Sequence, residues 1–196
     1  MTENFIEAQY DITKKSKLKK FYEKKKFSIF LTTLILLIGL VSFSFYLEIK
    51  DKKKTLLADN YIEAKIYLEN GQRDKAKSIL NEIIFANDST YSALSLFLML
   101  DENFMKEQKE LLDLFDHVLK NNKFEKEVKN LIIFKKALFQ SSFVNETELL
   151  EILKPLMNSE SLWKPHSLLL LGDYFFSKNE YLKAKEFYSK VLTLKG

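Results

Sequence analysis

Residues 165–196 read PHSLLLLGDYFFSKNEYLKAKEFYSKVLTLKG, and the spacing inside this stretch decides the fold. Gly172, Phe175, Ala184, Tyr188 and Val191 are separated by 3, 9, 4 and 3 residues. Steps of three and four keep side chains on one face of a helix, and the step of nine spans a turn at Lys178-Asn179. The stretch therefore predicts two antiparallel helices. Gly172 and Ala184 are small enough to let the helices approach closely, while Phe175 and Tyr188 fill the space towards a neighbouring hairpin. One hairpin buries only part of its apolar surface, so it has to stack on others.

The same spacing recurs upstream. Ala64, Tyr67, Ala76, Leu80 and Ile83 carry it, as do Ala137, Gln140, Leu149, Leu153 and Leu156, and Met99, Glu102, Leu111, Phe115 and Val118 fit it loosely. The starting points 64, 99, 137 and 172 lie 35, 38 and 35 residues apart, a period that signals a helical solenoid. Turn clusters at Asn70-Gly71-Gln72, Asn87-Asp88-Ser89, Asn121-Asn122, Ser141-Ser142 and Asn158-Ser159 fall between the apolar runs. Pro165 suits a helix start, and Pro155 is expected to end or kink the helix that begins near Glu146. With four Gly and two Pro in 196 residues, the chain reads as all-α with about four helical hairpins and almost no strand.

Ahead of the repeats stands FSIFLTTLILLIGLVSFSFYL, residues 27–47, which contains no charged side chain. At about 1.5 Å per residue a helix of this length covers the roughly 30 Å of a bilayer's hydrocarbon core. The hydroxyls of Ser28, Thr32, Thr33, Ser42 and Ser44 can bond back to a carbonyl one turn earlier, which keeps the helix satisfied in lipid. A cleaved signal peptide and a buried soluble helix are the alternatives. The first is disfavoured by the length of the apolar run and of its lysine-rich lead, the second by the absence of charge. The expected layout is a lysine-rich tail at 1–26, a single transmembrane helix at 27–47 and a repeat domain at 48–196. No Gly or Pro interrupts Glu48 to Asn70, so the membrane helix is expected to run into the first repeat helix, or to break only briefly around Asp51 to Lys54, and to end at Gly71.

Charge divides along the same line. Residues 1–54 hold 12 Lys against 6 acids, and residues 55–196 hold 19 Lys and Arg against 21 acids. The basic balance belongs to the membrane flanks, which argues against a nucleic-acid surface on the folded part. Eight lysines lie between Lys14 and Lys26, against Lys50, Lys52, Lys53 and Lys54 on the far side. That asymmetry predicts a cytoplasmic N-terminus and an outward repeat domain. The heavy use of Lys, Asn, Ile and Phe matches an A/T-rich bacterial genome.

Chemistry is sparse. No cysteine is present, which removes disulfides, thiolate metal sites and cysteine nucleophiles. His117 and His166, the two histidines, fall in different hairpins without ligand spacing, so no metal and no cofactor is expected. Acid pairs such as Asp101-Glu102 and Asp113/Asp116 read as solvated helix faces, and there is no phosphate loop or nucleophile elbow. An enzyme is not expected. A binding surface remains: these hairpins resemble tetratricopeptide repeats, and that resemblance implies that the first helix of each lines the concave side. By helical phase the candidate protein-binding positions are Ala58, Tyr61, Lys65 and Leu68, then Leu96 and Leu100, then His166, Leu169, Asp173 and Phe176, each of which also suits a core contact. Their mixed aromatic, apolar and charged character fits a peptide or partner helix.

Residues 165–196, with Leu171-Gly172, Phe175, Tyr181, Ala184 and Tyr188, resemble the tetratricopeptide repeat, as does LLADNYIEAKIYLENGQRDKAKSILNEII. The whole layout is similar to that of the YfgM-like ancillary SecYEG translocon subunits, with NDSTYSALSLFLMLDENF and LWKPHSLLLLGDYFFSKNEYLKAKEFYSKVL resembling that family's second and last hairpins. FIEAQYDITKKSKLKKFYEKKK resembles its alphaproteobacterial branch. The resemblance implies an inner-membrane protein with a periplasmic repeat domain, whose partners are translocon subunits, periplasmic chaperones or secreted chains. The alternative is a membrane-tethered scaffold or receptor whose repeat domain faces the cytosol. The Lys and Asn pattern of repeat domains that clamp a C-terminal carboxylate is absent. Gly196 directly follows the last repeat, so the face carrying Lys185, Glu186, Ser189 and Lys190 is expected to serve as a polar end or to meet a partner.

Overall fold

The computed structural model describes residues 17–104, 107–158 and 160–194, with side chains from Tyr22 onward. Phe5, Ile6, Lys14 and Lys15 of the tail lie outside the described residues. Among the described residues there are eight helices and no strand: α1 Lys17–Glu69, α2 Arg73–Phe85, α3 Tyr91–Asp101, α4 Gln108–Asn121, α5 Lys126–Gln140, α6 Glu146–Met157, α7 Lys164–Ser177 and α8 Tyr181–Thr193. The chain divides into two units at Lys53/Lys54.

The first unit is the leading part of α1. It holds a window long and apolar enough to cross a membrane, none of it buried against protein. The Thr32 and Thr33 hydroxyls each donate to the Ile29 carbonyl at 2.9 Å, so these polar groups cost little in an apolar surrounding. The helix continues through Asp51 to Lys54 and ends at Glu69.

The second unit is four hairpins: the end of α1 with α2, α3 with α4, α5 with α6, and α7 with α8. Three of them turn by the same device. After α1 the Gln72 N–H bonds the Tyr67 carbonyl at 2.8 Å and the Gly71 N–H the Leu68 carbonyl at 2.9 Å, a Schellman motif around a left-handed Gly71 with φ of 71°. Asn103 (φ 51°) and Asn179 (φ 63°) close α3 and α7 with the same pair of bonds. Asparagine tolerates this region better than other non-glycine residues. The third hairpin turns through residues 141–145 instead, and Asn145 caps α6 by accepting from the Glu148 N–H at 3.0 Å.

These turns correct the sequence register of the second hairpin. Ala64 and Gly172 each stand seven residues before their left-handed turn residue, and seven before Asn103 is Leu96, not Met99. The template still fits α4, where Leu111, Phe115 and Val118 are buried. The reason is the connection: residues 102–107 separate α3 from α4, against three residues at 70–72 and at 178–180. Three extra loop residues shift the first helix by three against a template that spans the turn.

Two clusters form the core. Ala64, Ala76, Leu80, Ile84, Leu96, Met99, Phe115 and Ile132 belong to one, and Ala137, Leu149, Leu153, Leu156, Leu171, Phe175 and Ala184 to the other. Helix α5 feeds both, through Ile132 and Ala137. Each fully buried Leu contributes about 1.5–3 kcal/mol. A buried Ser92 ties the first hairpin to the second, its hydroxyl lying 3.1 and 3.0 Å from the Ile83 and Ile84 carbonyls that α2 leaves at its end. At Gly172 an added Cβ would run into the Tyr188 ring, which is the close approach that the sequence spacing implied. Pro165 occupies the first turn of α7. Pro155 lies inside α6, which continues to Met157; in the last turn the missing N–H costs one bond without ending the helix at once.

Candidate protein-binding face

The outward positions of the first helices form the candidate site, and α7 presents them most clearly. His166, Leu169, Asp173 and Phe176 recur at three- and four-residue steps along one stripe, and all four are exposed. Leu169 is 41% and Phe176 57% accessible. Phe176 packs edge-on against Tyr181 at 5.4 Å between centroids. Asp173 accepts a 2.7 Å hydrogen bond from the Tyr188 hydroxyl. That bond, followed by burial and the charge of Asp173, holds the Tyr188 hydroxyl above the usual tyrosine range.

His166 joins an aromatic group that spans two hairpins. Its ring lies 5.2 Å from Trp163 and 5.9 Å from Phe134 of α5, and Phe134 stacks on Trp163 at 5.3 Å. Trp163 is held by a polar network across the α6–α7 loop. Its indole N–H donates to the Glu127 carbonyl at 3.1 Å, and its backbone N–H to the Ser161 hydroxyl at 3.1 Å. Ser161 in turn donates to Glu127 Oε2 at 2.9 Å and accepts from Asn130 Nδ2 at 2.9 Å. Asn130 and Ser161 are buried and bonded, so the network fixes the loop instead of leaving polar groups unpaired.

In the first hairpin Tyr61 is half-buried, 6.3 Å from the Tyr91 ring. Burial, and secondarily the Asp101 charge, raise its hydroxyl above the ordinary value. Lys65 is exposed; Leu68 and Leu100 pack partly buried against the core. Leu96 has no accessible surface, which follows from the register shift, and it offers a partner nothing. The second hairpin's outward positions are instead Thr90, which is exposed, and Phe97, which is half-buried, with the buried Ala93 between them. The structure thus gathers His166 with Trp163 and Phe134, and places Tyr61 with Tyr91 on the other core cluster.

Phe97, Phe134 and Trp163 escape a reading by spacing. Counting back from Asn103, as from Gly71 and Asn179, recovers Phe97. The Glu127 network joins residues about 35 apart and leaves no local signal.

Among the described residues no group of three or more His, Asp or Glu side chains is placed to hold a metal ion. What the face offers is aromatic and aliphatic contact area with a few charges, the makings of recognition between proteins.

Residues 165–196 match the tetratricopeptide repeat. The match covers the α7–α8 hairpin, and the helical hairpins before it share its architecture. Comparison with curated proteins and with solved structures finds no match. Tetratricopeptide repeats form protein–protein interaction modules and are typically non-enzymatic scaffolds, so the chain carries such a module behind a candidate membrane span.

Proposed function

We propose that this chain is a single-span bacterial inner-membrane protein, with residues 1–26 in the cytoplasm, 27–47 in the bilayer and 48–196 in the periplasm. The repeat domain binds other proteins through the first-helix face. The resemblance of the layout to YfgM-like ancillary subunits supports a post beside the Sec translocon, where emerging chains pass to periplasmic chaperones. One observation carries the topology: the uncharged run is preceded by eight lysines and followed by four that are offset by Glu48 and Asp51. The face itself comprises Tyr61 and Lys65 in the first hairpin, Phe97 in the second, Phe134 in the third and His166, Leu169, Asp173 and Phe176 in the last.

A reporter active only outside the cytoplasm, fused after Gly196, tests the orientation. The expected result is activity in a membrane-bound, intact fusion, followed by crosslinks from the repeat domain to translocon subunits. An inactive but intact fusion would overturn the periplasmic reading and favour a scaffold facing the cytosol.

A further inference from the structure

We propose that the recess between α3 and α5 is an anchor pocket for a peptide that presents one large apolar side chain flanked by acidic residues. This rests on the first-helix face being the binding face, and it names the ligand chemistry. The recess is a cavity of about 560 Å³ whose apolar lining includes Leu94, Phe97, Phe124, Val128 and Leu131. Pockets of roughly 300–1,000 Å³ take ligand groups of this kind. Leu94 and Val128, 39% and 40% accessible, are large apolar side chains that remain open to water. Covering them is favourable in proportion to the apolar area removed from water.

The rim selects the flanking charge. Lys123 lines the recess, and the Lys135 ammonium stands 5.7 Å from the centre of the Phe97 ring. Among the described residues neither lysine is paired with a carboxylate, whereas Lys77, Lys136, Lys183 and Lys190 are. Glu125 is the one acid of the lining. Lys123 on the lining and Lys135 over the Phe97 ring, set against the single Glu125, leave an excess of positive charge around the apolar floor, which rewards an anchor with acidic neighbours over one with basic neighbours.

The full-length chain in detergent micelles, titrated with three fluorescein-labelled peptides, tests this. The first carries Phe-Leu between glutamates, the second Phe-Leu between lysines, and the third Ser-Ser between glutamates. The first is expected to bind about tenfold tighter than either of the others. Lys123→Glu with Lys135→Glu is expected to reverse the preference towards the lysine-flanked peptide, and Val128→Asp, at an exposed position, to abolish it. Equal binding of the first two peptides, no binding at all, or a preference that survives the charge reversal would overturn the inference. Binding of the first peptide that is lost on Leu169→Asp but kept in Val128→Asp would overturn it too, while leaving the first-helix face in place. The orientation of the domain is read separately by the reporter.

Discussion

Helices α2 and α8 are each the second helix of a hairpin, each 13 residues long, and each written with the same 4 and 3 spacing. Yet α2 buries Ala76, Leu80, Ile83 and Ile84, whereas α8 buries Ala184 alone. Leu182 and Leu192 of α8 are 89% and 87% accessible. The difference lies in the neighbours: α2 packs on α3 and α4, while α8 packs on α7. A repeat pattern encodes a helix's capacity to be buried, and stacking decides how much of that capacity is used.

The largest effect should come from the core of the first hairpin. Ile83→Ala, at a fully buried position of α2, is expected to cost about 2–5 kcal/mol in urea unfolding followed by helical circular dichroism. Val191→Ala, at the matching position of α8, should cost under about 1.5 kcal/mol because Val191 is only partly buried. Equal losses would break the contrast between the two helices.

Next comes the close approach in the last hairpin. Gly172→Ala drives a methyl group into the Tyr188 ring and should destabilise by about 1–3 kcal/mol. In a Tyr188→Ala background most of that cost should vanish, and a double-mutant cycle measures the coupling. The turns should follow: Asn103→Ala and Asn179→Ala each place alanine at positive φ, with an expected loss of about 1–2 kcal/mol. If only Asn179→Ala matters, the register assigned to the second hairpin is wrong.

The smallest effect is a pH dependence. The Tyr188 pKa is raised in the folded chain, so its bond to Asp173 contributes stability that is present below the unfolded tyrosine value near 10 and is lost as pH rises through the folded value. Asp173→Asn keeps an acceptor but removes the charge. The difference between the two proteins' alkaline unfolding curves should therefore show a smaller Tyr188 contribution in the variant; identical curves would remove Tyr188 as its source.

The hairpins were legible because their determinants are local: small residues at Ala64 and Gly172, turn residues at Gly71 and Asn179, apolar steps of three and four. The exposed stripe on α7 followed from the same phase. Leu96 was misplaced because phase was carried across a turn whose length the sequence does not announce, with Asn103 inside it as the only marker. Trp163 stayed hidden for a different reason. Its place depends on Glu127 and Ser161, residues that meet only after α5 and α7 have packed. The recess between α3 and α5 is likewise a product of stacking and register together.

The most direct test of the account is a photoreactive residue placed, one position at a time, in the full-length protein in its native membranes. Leu94, Val128 and Leu169 sample the first-helix face; Phe85 and Leu192 sample the exposed sides of second helices. Crosslinks to other proteins concentrated at the first three positions are the expected result. Crosslinks confined to Phe85 or Leu192, with the first-helix positions silent, would contradict it.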